Sequence, residues 1–243
     1  MLRVQCFGKS DPGRKRSRNE DAFLLKPESG LFAVADGMGG EEGGELASRI
    51  FVETARELFP GPPFPSEEEC HRSVQKAFAL ANERILEEAR KRQYRKMGCT
   101  AELMAFHPTG FVLGHVGDSR AYLLRKGELR QLTRDHSLVQ EQVDEGLITM
   151  EEARWHSLRN VILRAVGIEE TLAVDLLRSK GQAGDFFLLC SDGLTSMVEE
   201  GEIRKILHRP LSLEEKTDLL IREANSAGGA DNITVVLCEI TAT

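Results

Sequence analysis

Four aspartates stand at the ends of apolar runs of the kind that form buried strands. Three directly follow such runs and one precedes a run, and they are Asp36, Asp118, Asp192 and Asp231. Taken singly, an aspartate at a strand end is as often a helix cap or a turn former. Three of them, however, share the order strand, aspartate and small residue, with Gly37 and Gly193 directly after two. Because glycine lets the backbone approach a ligand closely, we expect these strand ends to form one site.

Two further acids, Glu20 and Asp21, precede another predicted strand. If they join the same cluster, its negative charge exceeds what the few nearby bases can offset, so divalent cations are required. All donors at these positions are oxygens, and none is a cysteine or a histidine. Carboxylate oxygens are the ligands that hard cations prefer. The sequence therefore predicts a Mg²⁺ or Mn²⁺ site rather than a zinc site.

Motifs of other phosphate-binding and hydrolytic sites are missing from the sequence. The glycine-rich segment Gly37–Gly44 has Glu42 where a dinucleotide fingerprint needs its third glycine. Neither GxxxxGK[ST] nor GxSxG occurs, and the six histidines form no HExxH pair. No cysteine is followed six positions later by an arginine, as a thiol phosphatase would require. Covalent catalysis by these routes is therefore not expected.

The elements that must position the acids are short apolar strands and capped helices. Strands are predicted over residues 3–8, 22–25, 30–35, 100–107, 111–116, 121–125, 128–133, 173–177, 185–190 and 233–240. Helices are predicted over 45–58 and 200–207, after the caps Ser66 and Ser212, and as a short pair after Ser137 and Thr149. The four strands of 100–133 are interpreted as one antiparallel meander. Meanders combined with paired helices predict an α+β domain with helices outside antiparallel sheets.

Composition limits the class of protein. The chain has 243 residues, of which 41% are hydrophobic and 29% charged, and its net charge is −7. One soluble domain over residues 1–243 is expected, and the acidic balance argues against nucleic acid as a partner. No apolar stretch approaches the roughly 20 residues of a membrane span, and the first residues do not resemble a signal peptide. Five widely spaced cysteines predict no disulfide framework, which favours a cytoplasmic location.

The combined motifs resemble the metal-dependent PP2C-type (PPM) serine/threonine protein phosphatases, in particular their bacterial branch. The matching segments span about residues 3 to 240 and are Arg16-x-x-Asn19-Glu20-Asp21, Ala35-Asp36-Gly37-Met38-Gly39-Gly40, Met97-Gly98-Cys99-Thr100, Gly117-Asp118-Ser119-Arg120, Leu132-Thr133-Arg134-Asp135-His136-Ser137, Ser191-Asp192-Gly193-Leu194 and Asp231-Asn232. Each motif alone is weak, but seven in this order are specific. The resemblance implies a PP2C-like sandwich of two antiparallel β-sheets flanked by helices. Residues 137–160 match the helical insertion beside the active site, called the flap below.

The resemblance also implies a binuclear metal centre of Mn²⁺ or Mg²⁺. Asp36 would bridge the two ions and the carbonyl of Gly37 would bind one of them. Asp192 and Asp231 would complete the other ion's ligands. Asp118, together with Asp192, matches the position of a possible third metal in bacterial members.

Three other positions take their implied roles from the same resemblance. Glu20 and Asp21 would act on the metals directly or through water. Arg16 matches the arginine that binds the substrate phosphate, for which a planar guanidinium is well suited. Met38 stands where eukaryotic relatives carry a histidine general acid, and a thioether cannot donate a proton. The proton donor would then be a water near Asp118, which we favour, or His136.

The function implied is hydrolysis of phosphoserine and phosphothreonine by a metal-activated water without a phosphoenzyme. Phosphorylated proteins and a cognate Ser/Thr kinase are the expected partners, and a monomer is expected. One alternative is a non-enzymatic phosphoprotein-binding module, which would have lost metal ligands that are all present here. A second alternative is a phosphatase for small phosphate esters, for which the sequence offers no base-stacking pocket.

Overall fold

Two antiparallel sheets form the centre of the molecule. The structure is a computed structural model that describes residues 2–39 and 43–241, so Gly40 and Glu42 of the glycine-rich segment lie outside it. In order across the first sheet, the strands are β1 (Arg3–Asp11), β11 (Ile233–Thr241), β10 (Phe186–Cys190), β7 (Arg120–Arg125) and β8 (Glu128–Gln131). The second sheet has the order β2 (Asp21–Lys26), β3 (Leu31–Met38), β5 (Ala101–His107), β6 (Gly110–Val116) and β9 (Asp175–Lys180), and β4 (Gly98–Cys99) also pairs with β3.

Helices cover both outer faces of this sandwich. The second sheet is covered by α1 (Gly43–Leu58) and α2 (Glu67–Arg92). The first sheet is covered by α5 (Asp192–Thr195), α6 (Glu200–Leu207) and α7 (Leu213–Ser226). The flap carries α3 (Leu138–Asp144) and α4 (Met150–Trp155). Across the described ranges, no helix has both the length and the apolarity needed to cross a membrane.

Three buried apolar layers hold the sheets and helices together: one under α1 and α2, one under α5, α6 and α7, and one between the two sheets. Between α1 and α2, the rings of Phe51 and Phe78 meet edge to face with centroids 5.0 Å apart. Between the two sheets, Phe111 and Phe187 meet in the same way at 4.9 Å. Each fully buried apolar side chain of this size contributes about 1.5–3 kcal/mol through removal from water. The predicted sandwich with helices outside is thus the observed architecture.

The predicted meander over residues 100–133 is wrong in its connectivity. β5 pairs with β6, and β7 pairs with β8, but β6 and β7 belong to different sheets. The chain crosses between the sheets at Gly117, whose φ of +113° is in the region that favours glycine. A Cβ at Gly117 would lie 2.5 Å from the Cβ of Thr100, so no other residue fits this crossing. As a result, Asp118 lies in the short connection between β6 of one sheet and β7 of the other.

Helix starts agree well with the predicted caps. The hydroxyl of Ser66 accepts a hydrogen bond from the backbone N–H of Glu69 at 3.3 Å. Thr149 with Glu152, and Ser212 with Glu215, each form a reciprocal capping box. These contacts satisfy backbone donors that the first turn of a helix leaves free.

Several element boundaries differ from the prediction, and β3, for example, continues through Asp36 to Met38. β1 continues through Lys9 to Asp11 because its residues pair in register with β11, Lys9 opposite Val235. The four-residue helix α5 was not predicted, since a single turn is too short to show helical periodicity.

Candidate active site

A cleft of about 880 Å³ opens at one end of the sandwich, where the strand ends meet. Seven of the eight predicted site residues line it, and they are Arg16, Glu20, Asp36, Gly37, Asp118, Asp192 and Asp231. Asn160 and Ile162, at the end of the flap, form part of its wall. The expectation that these strand ends come together is therefore confirmed by their position around one cleft.

Asp36 is fixed through contacts of its own backbone with Thr100, the residue between β4 and β5. The backbone N–H of Asp36 donates to Oγ1 of Thr100 at 3.1 Å, and the N–H of Thr100 donates to the carbonyl of Asp36 at 2.8 Å. Thr100 Oγ1 also lies 2.7 Å from Oγ of Ser119, next to Asp118. One buried threonine therefore links the positions of two cleft carboxylates that are far apart in sequence.

Asn232 fixes the loop that carries Arg16 and Glu20. Its Oδ1 accepts the backbone N–H of Glu20 at 2.8 Å, and its Nδ2 donates to the carbonyls of Pro12 at 3.0 Å and Arg18 at 2.9 Å. Each of these bonds satisfies a backbone group in a loop that lacks sheet pairing. The sequence reasoning included Asn232 in a motif but gave it no role. Its position beside Asp231 was the available signal.

Asp21 is the one predicted site residue that does not line the cleft. Its backbone pairs with Asp36 across β2 and β3. Its Oδ2 accepts hydrogen bonds from the hydroxyls of Ser191 at 2.8 Å and Thr234 at 2.6 Å. The Asp21 carboxylate is thus held from behind by two hydroxyls that sequence reasoning missed, although Ser191 directly precedes Asp192.

Buried carboxylate oxygens without a partner are the main electrostatic feature of the site. Oδ1 of Asp21, of Asp118 and of Asp192 are each buried and accept no hydrogen bond from any described residue. An ionised oxygen in that position is costly unless a cation is near. Hard cations would satisfy all three oxygens at once.

The pKa values of these carboxyls reflect the same crowding. Burial raises the pKa of Asp21 to about 7, and the charges of Asp192 and Asp231 add to that shift. Burial and then the charge of Asp231 raise the pKa of Asp192 to about 6. The pKa values of Asp36 and Asp118 lie well above the ordinary value, again first through burial and then through neighbouring carboxylates. These environments disfavour negative charge in the absence of cations.

The carboxylates do not form a closed ligand set. Among the described residues, no group of three or more Asp, Glu, His or Cys side chains has the spacing of a metal site. Arg16 Nη2 donates a hydrogen bond to Asp231 Oδ2 at 2.7 Å, so one of the acids is paired with a cationic side chain of the protein itself. That hydrogen bond raises the pKa of Arg16 above its already high ordinary value.

The two glycines after the aspartates are required by close backbone packing. A Cβ at Gly37 would lie 2.2 Å from the carbonyl oxygen of Gly44, and one at Gly193 would lie 1.9 Å from that of Asn232. The sequence prediction assigned both glycines to close approach of a ligand. For both glycines the close neighbour is the chain itself, namely the backbone of Gly44 for Gly37 and that of Asn232 for Gly193.

His136 does not face the cleft, which corrects its status as a candidate proton donor. Its ring is buried, with 4% of the residue exposed. Nδ1 accepts the backbone N–H of Gly117 at 3.1 Å, and Nε2 lies 3.3 Å from Oδ2 of Asp175. Both ring nitrogens therefore contact residues that do not line the cleft. Met38, by contrast, does line the cleft and offers only a thioether there.

Comparison with known proteins assigns the family. The family model described as Protein phosphatase 2C matches residues 13–227. The chain is 41% identical over 236 residues to a serine/threonine phosphatase stp of Listeria monocytogenes, covering 95% of this chain and 94% of that protein. It is 36% identical to the crystal structure of the Mycobacterium tuberculosis serine/threonine phosphatase PstP/Ppp, with a TM-score of 0.92 and 100% of both chains covered.

Another similar solved structure contains metal ions. A structure of the catalytic domain of the phosphatase PstP in complex with two manganese ions matches with a TM-score of 0.91 at 35% identity, and all of both chains is covered. Family model, sequence relatives and solved structures agree over nearly the whole chain. The chain therefore belongs to the protein phosphatase 2C family.

Proposed function

We propose that the protein is a metal-dependent protein serine/threonine phosphatase. The observation that carries this proposal is a set of three buried, unpartnered carboxylate oxygens. Two of them, on Asp118 and Asp192, lie in a cleft that also contains Arg16, and the third is on Asp21, whose backbone pairs with that of Asp36. The cluster requires cations, and the arginine suits a phosphate. Family membership and the printed activities of the relatives support the same reaction.

The residues of the cleft fall into two groups, one proposed to bind metal ions and one proposed to bind the phosphate. We propose Glu20, Asp21, Asp36, Asp118, Asp192, Asp231 and the carbonyl of Gly37 as the groups that hold Mn²⁺ or Mg²⁺, at two positions with a possible third. Bound ions of this kind activate a water and neutralise charge on the phosphoryl oxygens. Arg16, half exposed at the cleft edge, can orient the phosphate through its planar guanidinium. No protein nucleophile is needed for a reaction of this type.

Partners and setting follow from the proposed reaction. Phosphorylated proteins, and the Ser/Thr kinase that produces them, are the proposed partners. We propose further that residues 1–243 act as a single phosphatase domain and as a monomer. A cytoplasmic location is supported by the five cysteines, which are all free thiols, four of them buried.

The alternatives from the sequence are not favoured. A binding module without activity would not need a cluster of carboxylates whose charge disfavours folding. The cleft is broad, at about 880 Å³, and Tyr94 is the one aromatic residue among the described residues that line it. A phosphatase selective for a nucleotide would be expected to enclose its base more completely.

Phosphate release from a phosphothreonine peptide tests the proposal. The protein is stripped with EDTA, dialysed and assayed alone, with Mn²⁺ and with Mg²⁺. Activity that is absent after stripping and restored by either ion is expected. Full activity in excess EDTA would contradict the metal-dependent mechanism, and binding of the peptide without release of phosphate would favour the module.

A further inference from the structure

A groove of about 600 Å³ leads away from the catalytic cleft beside the end of α2. It runs between that helix end and residues 162–168. Met38, Tyr94 and Ile162 line both the cleft and the groove. Any polypeptide whose phosphorylated residue lies in the cleft can therefore continue into the groove without leaving the surface.

The charge of the groove is opposite to that of the whole chain. Its lining includes the four cations Arg90, Arg95, Lys96 and Arg164, and no described lining residue is Asp or Glu. The chain as a whole has a net charge of −7. A local concentration of positive charge on an acidic protein attracts anionic ligands to that place.

Two of these cations have partners among the described residues, and two have none there. Arg90 pairs with Glu170 at 2.9 Å, and Arg164 pairs with Asp175 at 3.2 Å. The side chains of Arg95 and Lys96 are exposed and make no hydrogen bond or ion pair with any residue in 2–39 or 43–241. Within the described part of the chain, both side chains are therefore free to bind anions.

The dipole of α2 does not explain Arg95 and Lys96. The helix ends at Arg92, and Gln93 takes a left-handed conformation with φ of +58°. Favourable interaction of cations with a helix C-terminus is limited to its last turn, which accounts for residues 90–92. Arg95 and Lys96 follow the chain reversal and border the groove instead.

Apolar side chains complete the groove. Met97 is buried beneath it with 1% exposure, whereas Leu163 and Ile168 are 40% and 44% exposed at its side. Such a surface can pack against the backbone and apolar atoms of an extended peptide while the cations contact its charged groups.

We propose that this groove binds an acidic segment of the phosphoprotein next to the phosphorylated residue, and that Arg95 and Lys96 set this preference. The proposal rests on the proposed phosphatase function for the position of the phosphate. Carboxylate side chains within a few residues of the phosphothreonine would contact the two free cations. Because these contacts are exposed, they should weaken as salt is added.

The test compares matched phosphothreonine peptides and matched variants. One peptide has three Glu on the N-terminal side of the phosphothreonine, another has them on the C-terminal side, and a third has Gln at all these positions. The variant R95Q/K96Q removes both free cations. R72Q/K76Q is the control, since Arg72 and Lys76 are also exposed on α2 but lie near its other end. The unmodified protein and both variants are assayed with Mn²⁺ for kcat/KM.

The expected result is a preference of about 3- to 10-fold for at least one acidic peptide, the range for two exposed charge pairs. R95Q/K96Q should lose that preference while keeping the rate on the Gln peptide and on p-nitrophenyl phosphate, and R72Q/K76Q should keep it. Equal rates on all three peptides would overturn the proposal. So would a preference that survives in R95Q/K96Q or disappears equally in both variants.

A binding measurement separates this proposal from the proposed function. The same three peptides are labelled and made with a phosphonate in place of the phosphate, and their affinities are measured by fluorescence anisotropy. If the protein released no phosphate from any substrate, the phosphatase function would fail, yet tighter binding of an acidic peptide that depends on Arg95 and Lys96 would still support the groove. Equal affinities for all peptides would overturn it.

Discussion

The Nδ1 atom of His136 accepts a hydrogen bond from the backbone N–H of Gly117 at 3.1 Å, and the backbone N–H of His136 donates to the carbonyl of Gly117 at 2.7 Å. Gly117 is the residue at which the chain passes from one sheet to the other, directly before Asp118. Because Nδ1 accepts, the proton of the neutral ring lies on Nε2, which is 3.3 Å from Oδ2 of Asp175 and 3.3 Å from Nη1 of Arg164. His136 therefore positions the cleft carboxylate through the backbone.

Removal of this acceptor should destabilise the fold. His136→Ala leaves the buried N–H of Gly117 without a partner, which costs about 1–3 kcal/mol. His136→Asn offers an amide oxygen close to the position of Nδ1 and should cost less. Urea unfolding of both variants measures the difference. Equal losses of unfolding free energy in the two variants would mean that the hydrogen bond contributes nothing beyond packing.

The same ring gives a pH dependence of stability with a definite sign. Burial, followed by the positive charges of His115 and Arg164, lowers the pKa of His136 to about 4, against an opposing effect of Asp175. An unfolded histidine has a pKa of about 6.5. The folded state therefore favours the neutral ring, and this stabilisation is present above pH 6.5 and lost as pH falls towards 4. The stability advantage of the unmodified protein over His136→Asn should shrink between pH 7 and pH 5, and an advantage that grew would contradict the assignment.

Much of the architecture could be predicted because it depends on local signals. The capping residues Ser66, Thr149 and Ser212 each start a helix as expected. The carboxylates at strand ends lie together because hydrophobic runs determine where strands stop. An aspartate next to such a run must then lie near the end of its strand.

Other features depend on partners far away in sequence and could not be predicted. The switch between sheets at Gly117 depends on whether the next strand pairs with β6 or β10. The position of the Asp21 carboxylate is set by its hydroxyl partners, Ser191 and Thr234, which lie 170 and 213 residues further along the chain. No local pattern around Asp21 contains that information. The position of His136 likewise depends on a tertiary contact, because its ring accepts a hydrogen bond from the backbone of Gly117.

Arg16 should contribute to binding of the phosphate. A charge-assisted hydrogen bond of this kind is worth about 1.5–3 kcal/mol, so Arg16→Ala should lower kcat/KM by about 10- to 150-fold, largely through KM. Lys15→Ala changes an exposed cation in the same loop and serves as the control. Steady-state kinetics on a phosphothreonine peptide with Mn²⁺ measures both. Unchanged kcat and KM in Arg16→Ala would leave its pairing with Asp231 as its role.

Mn²⁺ should stabilise the protein through the buried carboxylates. An ion present at 100 times its Kd adds about 2.7 kcal/mol to the free energy of unfolding. Asp192→Asn removes one of the unpartnered charges, so the variant should melt at a higher temperature than the unmodified protein in EDTA and respond less to Mn²⁺. It should also lose most of kcat.

Asp218→Asn is the matched control for the metal experiment. Asp218 pairs with Lys9 on the surface at 2.6 Å and does not line the cleft, so its Mn²⁺ response should equal that of the unmodified protein. Thermal unfolding with and without Mn²⁺ compares the three proteins. A full Mn²⁺ response in Asp192→Asn would exclude Asp192 from the metal ligands.

The leaving group needs a proton that Met38 cannot supply. A serine or threonine alkoxide must be protonated as the P–O bond breaks, whereas p-nitrophenolate leaves without a proton. With His136 turned away from the cleft, the proton must come through water. The unpartnered Oδ1 of Asp118 lies at the cleft and can accept a hydrogen bond from such a water.

Asp118→Ala should therefore slow phosphopeptide hydrolysis much more than hydrolysis of p-nitrophenyl phosphate. Met38→Leu keeps the size of the side chain, and neither it nor His136→Asn should affect the two substrates differently, because neither original side chain supplies the proton. The measurement is kcat on both substrates from pH 6 to pH 9 for the three variants. Equal losses on both substrates in Asp118→Ala would remove Asp118 from proton delivery. A loss confined to phosphopeptide in His136→Asn would instead return the role to the imidazole, which would then have to reach the cleft by a movement of the Gly117 crossing.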